Sequence, residues 1–132
     1  AIDYIQISTI GDAVDFGDAI VANRSSKALS SPTRLVEAGG YTTEYNKTME
    51  YLTISSLGNT VPFGDLSNRV FGAEGVSNNV RGVFAAGRNA PGAFINHIDF
   101  LDLNNGQIMA VLVNENGLVE NRIFLSFLFF LK

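Results

Sequence analysis

The amino-acid sequence predicts an all-β chain built from repeats. Three observations carry this reading: self-similarity at a spacing of 47 residues, two-residue alternation within each copy, and turn signals between short apolar runs. No segment keeps an apolar i, i+3, i+4 pattern for several turns, so little helix is expected.

The first copy opens on Ile2-Asp3-Tyr4-Ile5, which returns as Met49-Glu50-Tyr51-Leu52. Ile7-Ser8-Thr9-Ile10-Gly11 returns as Ile54-Ser55-Ser56-Leu57-Gly58, and Phe16-Gly17-Asp18 as Phe63-Gly64-Asp65. Arg34-Leu35-Val36-Glu37-Ala38-Gly39-Gly40 aligns with Arg81-Gly82-Val83-Phe84-Ala85-Ala86-Gly87 at the same spacing. Asn23-Arg24 matches Asn68-Arg69 at a spacing of 45, which implies a small gap inside the repeat. A third copy begins at Ile98-Asp99-Phe100-Leu101, 49 residues after the second, and then departs from the pattern. Its register is ambiguous, because residues 100–105 also resemble residues 63–68. The chain therefore reads as one repeat domain over 1–132: a first repeat at 2–48, a second at 49–97, and a degenerate third with a hydrophobic C-terminal segment at 98–132. Terminal repeats commonly differ from internal ones.

Within the first copy Tyr4, Gln6 and Ser8 alternate with Ile5 and Ile7; in the second, Leu52 and Ile54 alternate with Tyr51, Thr53 and Ser55. Residues 34–38 and 80–86 read as short buried strands ending near glycine. Gly11-Asp12, Gly58-Asn59 and Asn104-Asn105-Gly106 are turn signals, and Asn116-Gly117 between 108–113 and 118–124 predicts a type I′ hairpin. The closing run 123–131 has no counterpart in the other copies and is far shorter than the ~20 residues of a membrane-spanning helix. Its apolar members Ile123, Phe124, Leu125, Phe127, Leu128, Phe129, Phe130 and Leu131 form a candidate subunit interface.

Composition narrows the function. A chain of 132 residues that is 46% hydrophobic can bury a core. A net charge of -4 with nine Lys and Arg spread thinly argues against nucleic acid, and no membrane association is expected. Only 17% of residues are charged while 11% are aromatic, which is how a subunit whose surface is covered by neighbours reads. The absence of cysteine removes disulfides, thiol catalysis and Cys-ligated metals. His97 is the one histidine, so neither a Ser-His-acid triad nor a paired-His metal site is expected around it. Paired carboxylates can hydrolyse glycosides. Here Asp3, Glu50 and Asp99 recur with the repeat, as do Asp18 and Asp65, so equivalent acids fall on separate units. There they are expected to cap turns or to accept hydrogen bonds from Arg24, Arg34, Arg69 or Arg81. Asp12, Asp15 and Asp18 form an acidic loop with the oxygen ligands calcium takes, without the full set of an EF-hand. Gly72 and Gly75 lack the Lys-Ser/Thr of a phosphate loop. No enzymatic activity, cofactor or resident metal is expected.

These repeats resemble the kelch-like repeats, of about 47 residues, found in proteins of marine bacteriophages, especially cyanophages. The resemblance lies in Ile2-Asp3-Tyr4-Ile5, Asp15-Phe16-Gly17-Asp18, Arg24, Ser30-Ser31-Pro32-Thr33-Arg34 and Gly39-Gly40, and covers roughly residues 2–103. The second copy departs from the pattern at Pro62, Asn79-Val80 and Ala86-Gly87-Arg88. The resemblance implies kelch-like β-propeller-type repeats of four-stranded blades, with Tyr4, Phe16, Tyr51, Phe63, Phe84 and Phe100 packed between them. Propellers typically need about 4–8 blades, so closure by oligomerisation is implied. Either several chains complete a ring, or the blades stack differently and the hydrophobic tail donates strands to neighbours. The implied function is that of a non-enzymatic virion structural protein, a capsid decoration or a tail- or fibre-associated subunit. Its partners would be further copies and other proteins of the extracellular particle. The alternative is an attachment module that binds a host-surface glycan or protein. Tyr41, Tyr45, Arg88 and Asn89, in loops 41–45 and 88–92, are then the candidate ligand-binding residues.

Overall fold

Eleven strands and no helix run through the described residues of the computed structural model, which are 1–90, 92–104, 108–113 and 119–124. The last two segments are described by their backbone alone. The first copy supplies β1 (Ile2–Tyr4), β2 (Val14–Gly17), β3 (Lys27–Ser30) and β4 (Arg34–Ala38). The second supplies β5 (Thr48–Thr53), β6 (Val61–Asp65), β7 (Glu74–Ser77) and β8 (Arg81–Ala85). Then follow β9 (His97–Asp102), β10 (Ile108–Val113) and β11 (Val119–Phe124).

The sheets do not coincide with the sequence repeats. All pairings are antiparallel, and the sheets are β1-β2, β3-β4-β5-β6 and β7-β8-β9-β10-β11, none of them closed. The first complete sheet thus joins the last half of one copy to the first half of the next. Residues between β2 and β3, and between β6 and β7, are connectors that carry the chain from one sheet to the next. Leu35 of β4 lies opposite Leu52 of β5, and Gly82 of β8 lies opposite Leu101 of β9. This pairing settles the third copy in the register that starts at Ile98.

Turn contacts repeat with the same regularity. Ser31 N–H donates to Arg34 O as Asn78 N–H does to Arg81 O, and Ile54 N–H donates to Thr33 O as Leu103 N–H does to Val80 O. Arg24 bridges Tyr41, and Phe71 bridges Arg88, which keeps the spacing at 47 through both connectors. The gap inferred from Asn23-Arg24 and Asn68-Arg69 is therefore absent. The extra residues fall later, between Gly87 and Ile95, because Ile95 N–H donates to Gly87 O as Asn46 N–H does to Gly40 O.

The core lies between the two complete sheets. Val36, Met49, Phe84 and Leu101 are fully buried there, with Leu66 and Val70 of the second connector. Burying each such side chain contributes about 1.5–3 kcal/mol. Leu29 of β3 reaches the neighbouring sheet because Gly75 and Gly82 leave room; a Cβ on Gly82 would stand 2.8 Å from Leu29 Cδ1. At the same contact Ser30 N–H donates to Ser77 Oγ, and Ser77 Oγ donates to Ser30 O. Arg34 spans the sheets as well, donating from Nη1 to Leu103 O and Asn104 O with its guanidinium over the Tyr51 ring.

The first copy is less buried than its sequence suggests. Its opening strand stops at Tyr4, and Ile5 is exposed, whereas its counterpart Leu52 of β5 is buried. The reason is positional: β5 lies between β4 and β6, while β1 pairs with β2 alone among the described residues. Of the aromatics expected in the core, Phe16, Phe63 and Phe84 are buried, Tyr51 and Phe100 half-buried, and Tyr4 exposed. Strands β10 and β11 pair as the expected hairpin, with Val113 opposite Val119; the turn at 116–117 lies outside the described residues.

Gly39 shows how closely the second connector sits. Its φ of +66° favours glycine, and an added Cβ would lie 2.8 Å from Val70 O. Gly39→Ala is expected to lower stability by about 1–3 kcal/mol in denaturant unfolding, whereas Gly11→Ala, in open space, should stay within about 0.5 kcal/mol. Equal effects would contradict this packing.

Candidate functional site

Glu50 on β5 and Asp99 on β9 are both buried. Glu50 Oε2 accepts the Ile20 N–H at 2.8 Å, and Thr60 Oγ1 donates to the same oxygen. Asp99 Oδ1 accepts the Ser67 N–H at 3.2 Å. Ile20 and Ser67 occupy equivalent places, one in each connector. Each acid therefore tethers the connector that precedes it, and neither accepts from Arg24, Arg34, Arg69 or Arg81. Arg34 donates instead to the carbonyls of Leu103 and Asn104. Arg69 pairs with Glu44, Lys47 with Asp65, Lys27 with Glu74, and the Ala1 ammonium with Asp18. Glu50 and Asp99 sit on different sheets, in the same role rather than as a facing pair.

Burial pushes the Asp99 carboxyl above its usual range, opposed by hydrogen bonds from Ser67 and by the nearby His97 charge. Asp99 and His97 share a small cavity of about 10 Å³ with Leu66, Val70 and Phe84, and His97 Nδ1 is buried without a partner among the described residues. No group of three acids or histidines among the described residues is placed to hold a metal, so Asp12, Asp15 and Asp18 do not converge on a calcium site. Asp15 lies on β2, opposite Asp3, while Asp18 is drawn to the chain's amino group.

The candidate ligand-binding residues are partly brought together. Tyr41 and Tyr45 meet edge to face at 5.7 Å, and Tyr45 stacks on Phe71 at 5.7 Å and 22°. Tyr41 also meets Phe71 edge to face at 6.4 Å. The Arg24 guanidinium lies 4.5 Å over the Tyr41 ring, and the Arg88 guanidinium 4.6 Å over Phe94. The backbone bridges continue the row, from Arg24 to Tyr41 and Tyr45, then from Phe71 to Arg88 and Phe94. At the equivalent bridge the guanidinium and the ring exchange sides: Arg24 faces Tyr41 in one copy, and Phe71 faces Arg88 in the next. Each exposed stack contributes about 0.5–1 kcal/mol.

Tyr41, Tyr45 and Phe71 are half-buried, while Arg24 and Arg88 are exposed and have no carboxylate partner among the described residues. Asn89 is turned inward, with its Oδ1 buried and unpartnered, so it belongs to the loop's frame. Arg24, Phe71 and Phe94 are the members that sequence reading missed; the exchanged Arg and ring positions one repeat apart were the signal available. Of the candidate interface residues, Ile123 and Phe124 lie on β11, described by backbone only, and 125–131 lie outside the described residues. Chemically, the row offers flat apolar rings beside guanidinium donors.

A family model described as the HrcA protein C terminal domain matches residues 77–128, fewer than half of the chain. That span begins at the last residue of β7 and so divides the β7-β8 hairpin; it does not correspond to a sheet or to a repeat. No curated protein matches the chain.

The Asp99 environment has a measurable consequence. A carboxyl whose folded pKa is raised above 3.8 holds its proton longer in the native state than in the unfolded state. The stability linked to it is present below the unfolded pKa and is lost as pH rises through the folded pKa. Compared with Asp99→Asn, the native chain should lose stability as pH rises above the unfolded value of 3.8. Asp99→Ala, which strands the Ser67 amide, should cost about 1–3 kcal/mol. A difference between native chain and Asp99→Asn that does not vary with pH would count against this account.

Proposed function

We propose that this chain is a non-enzymatic structural repeat subunit of a bacteriophage virion, a capsid decoration or a tail- or fibre-associated protein, with kelch-like propeller-type units that close by association with further copies. The observation that carries the reading is the shared use of Glu50 and Asp99. Acids in a hydrolytic pair face one substrate, whereas these two fasten successive connectors in the same way. The contact between β3 and β7, the first strands of the complete sheets, supports it too. Association is supported by apolar side chains left in solvent at equivalent places: Ile7 and Ile10 in one copy, Ile54 and Leu57 in the next. The resemblance to phage repeats motivates the virion setting.

Sedimentation velocity at micromolar concentration should find oligomers, weakened by joint Ile7→Ser, Ile10→Ser and Leu57→Ser substitution. A chain that stays monomeric throughout would end this reading.

A second reading has its own observation, the row from Arg24 to Phe94. Rings of Tyr41 and Tyr45 beside two guanidiniums without acidic partners suit a host-surface glycan, with C–H faces stacking on the rings and hydroxyl or carboxylate groups meeting arginine. On a glycan array the native chain should show selective binding that Tyr41→Ala and Tyr45→Ala remove. Silence across the array would dismiss attachment through this row.

A further inference from the structure

His97 and Asp99 stand two residues apart on β9, so they share one face of the strand at a spacing of about 7 Å. Both line the cavity of about 10 Å³ between β9 and the second connector, together with Asn68. The rest of its wall is apolar, chiefly Leu66, Val70 and Phe84. The polar groups there are unevenly satisfied. Asp99 Oδ1 accepts the Ser67 N–H at 3.2 Å, and the Ser67 side chain adds a second hydrogen bond to the carboxyl. Asn68 Nδ2 donates to Ser67 Oγ at 3.5 Å. His97 Nδ1, in contrast, is buried without a partner among the described residues. Leaving a buried polar atom unpaired is costly.

The second copy shows where the space comes from. Glu50 stands in the place of Asp99, with a side chain one methylene longer. It reaches the Ile20 N–H at 2.8 Å and takes the Thr60 hydroxyl directly. Thr48, which is exposed, stands in the place of His97. The third copy thus combines a shorter acid with an imidazole that is drawn inward. A cavity of this size holds about one water molecule, and a water with about 2–4 polar partners is stable there, whereas a purely apolar cavity stays dry.

We propose that this cavity is a binding site for one ordered water molecule, which joins His97 Nδ1 to the Asp99 carboxyl beside the side-chain amide of Asn68. Water fits both ends because it donates and accepts. It donates to Nδ1 when the ring carries its proton on Nε2, and accepts from Nδ1–H when the proton is there. A metal ion suits the site poorly, since no three acids or histidines gather around it among the described residues. An organic ligand exceeds the space. The bridge fixes the His97 ring at the start of β9 and gives Asp99 a support besides Ser67. The tether of the second connector then runs through water as well as through backbone. The inference stands on these side chains and does not depend on the virion or the glycan reading.

The test is a crystal structure of the full chain at atomic resolution. A water oxygen is expected about 2.7–3.2 Å from both His97 Nδ1 and an Asp99 carboxyl oxygen. Asp99→Glu restores the methylene that Glu50 has and should expel that water. His97→Phe, which keeps a ring but has no nitrogen, should expel it as well. In solution, oxygen-17 relaxation dispersion should fall in each variant by the equivalent of a single long-lived water. Thermal unfolding checks that the variants are folded, and the crystal of the native chain decides the matter if they are not. A dry cavity, or an Nδ1 bonded directly to another protein group, overturns the proposal. So does a peak with the many oxygen ligands of a cation, or a water that both substitutions leave in place.

Discussion

A buried carboxylate at the head of a repeat has to be satisfied, and in this fold it is satisfied by the backbone of the connector before it. Glu50 reaches back 30 residues to Ile20, and Asp99 reaches back 32 residues to Ser67. An unpaired buried charge costs several kcal/mol, so the acid and the connector amide hold one another in place. The rest of the architecture is arranged around that tether. The connector must lie across the strand that follows, so one copy's second hairpin shares a sheet with the next copy's first. Leu66 and Val70, carried on the tethered connector, then fill the space between sheets.

Glycine completes the same arrangement. Gly39 and Gly40 let the chain that ends a strand approach the connector backbone, and Gly40 N–H closes on Val70 O. The side chain of Leu29 enters the neighbouring sheet over Gly75 and Gly82. Close approach of backbones is thus the common theme.

Much of this was legible in the sequence. The 47-residue spacing, the strands at 34–38 and around 81–85, and the hairpin strands at 108–113 and 119–124 all follow from alternation and turn chemistry. Sheet membership did not follow, because a repeat of fixed period looks the same whichever halves pair. Ile5 looks like core by alternation; its exposure, where its counterpart Leu52 is buried, reflects the strands beside it rather than any property of its own. The recurrence of Asp3, Glu50 and Asp99 singled out a repeated acid position, but the partner of Glu50 and of Asp99 is a backbone amide rather than an arginine, which no sequence pattern records. In the aromatic row, Tyr41 and Tyr45 stood out as neighbours in one loop, whereas Phe71 and Arg24 join them only through tertiary bridges.

The central claim, that Glu50 and Asp99 each tether the connector before their strand, is tested most directly by amide hydrogen exchange at Ile20 and Ser67. Both lie in irregular segments, outside any strand, where exchange would otherwise be fast. The account predicts that both are protected well beyond amides of the exposed 8–13 loop, and that each loses protection only when its own acid is replaced by alanine. Free exchange at both positions in the native chain would contradict it.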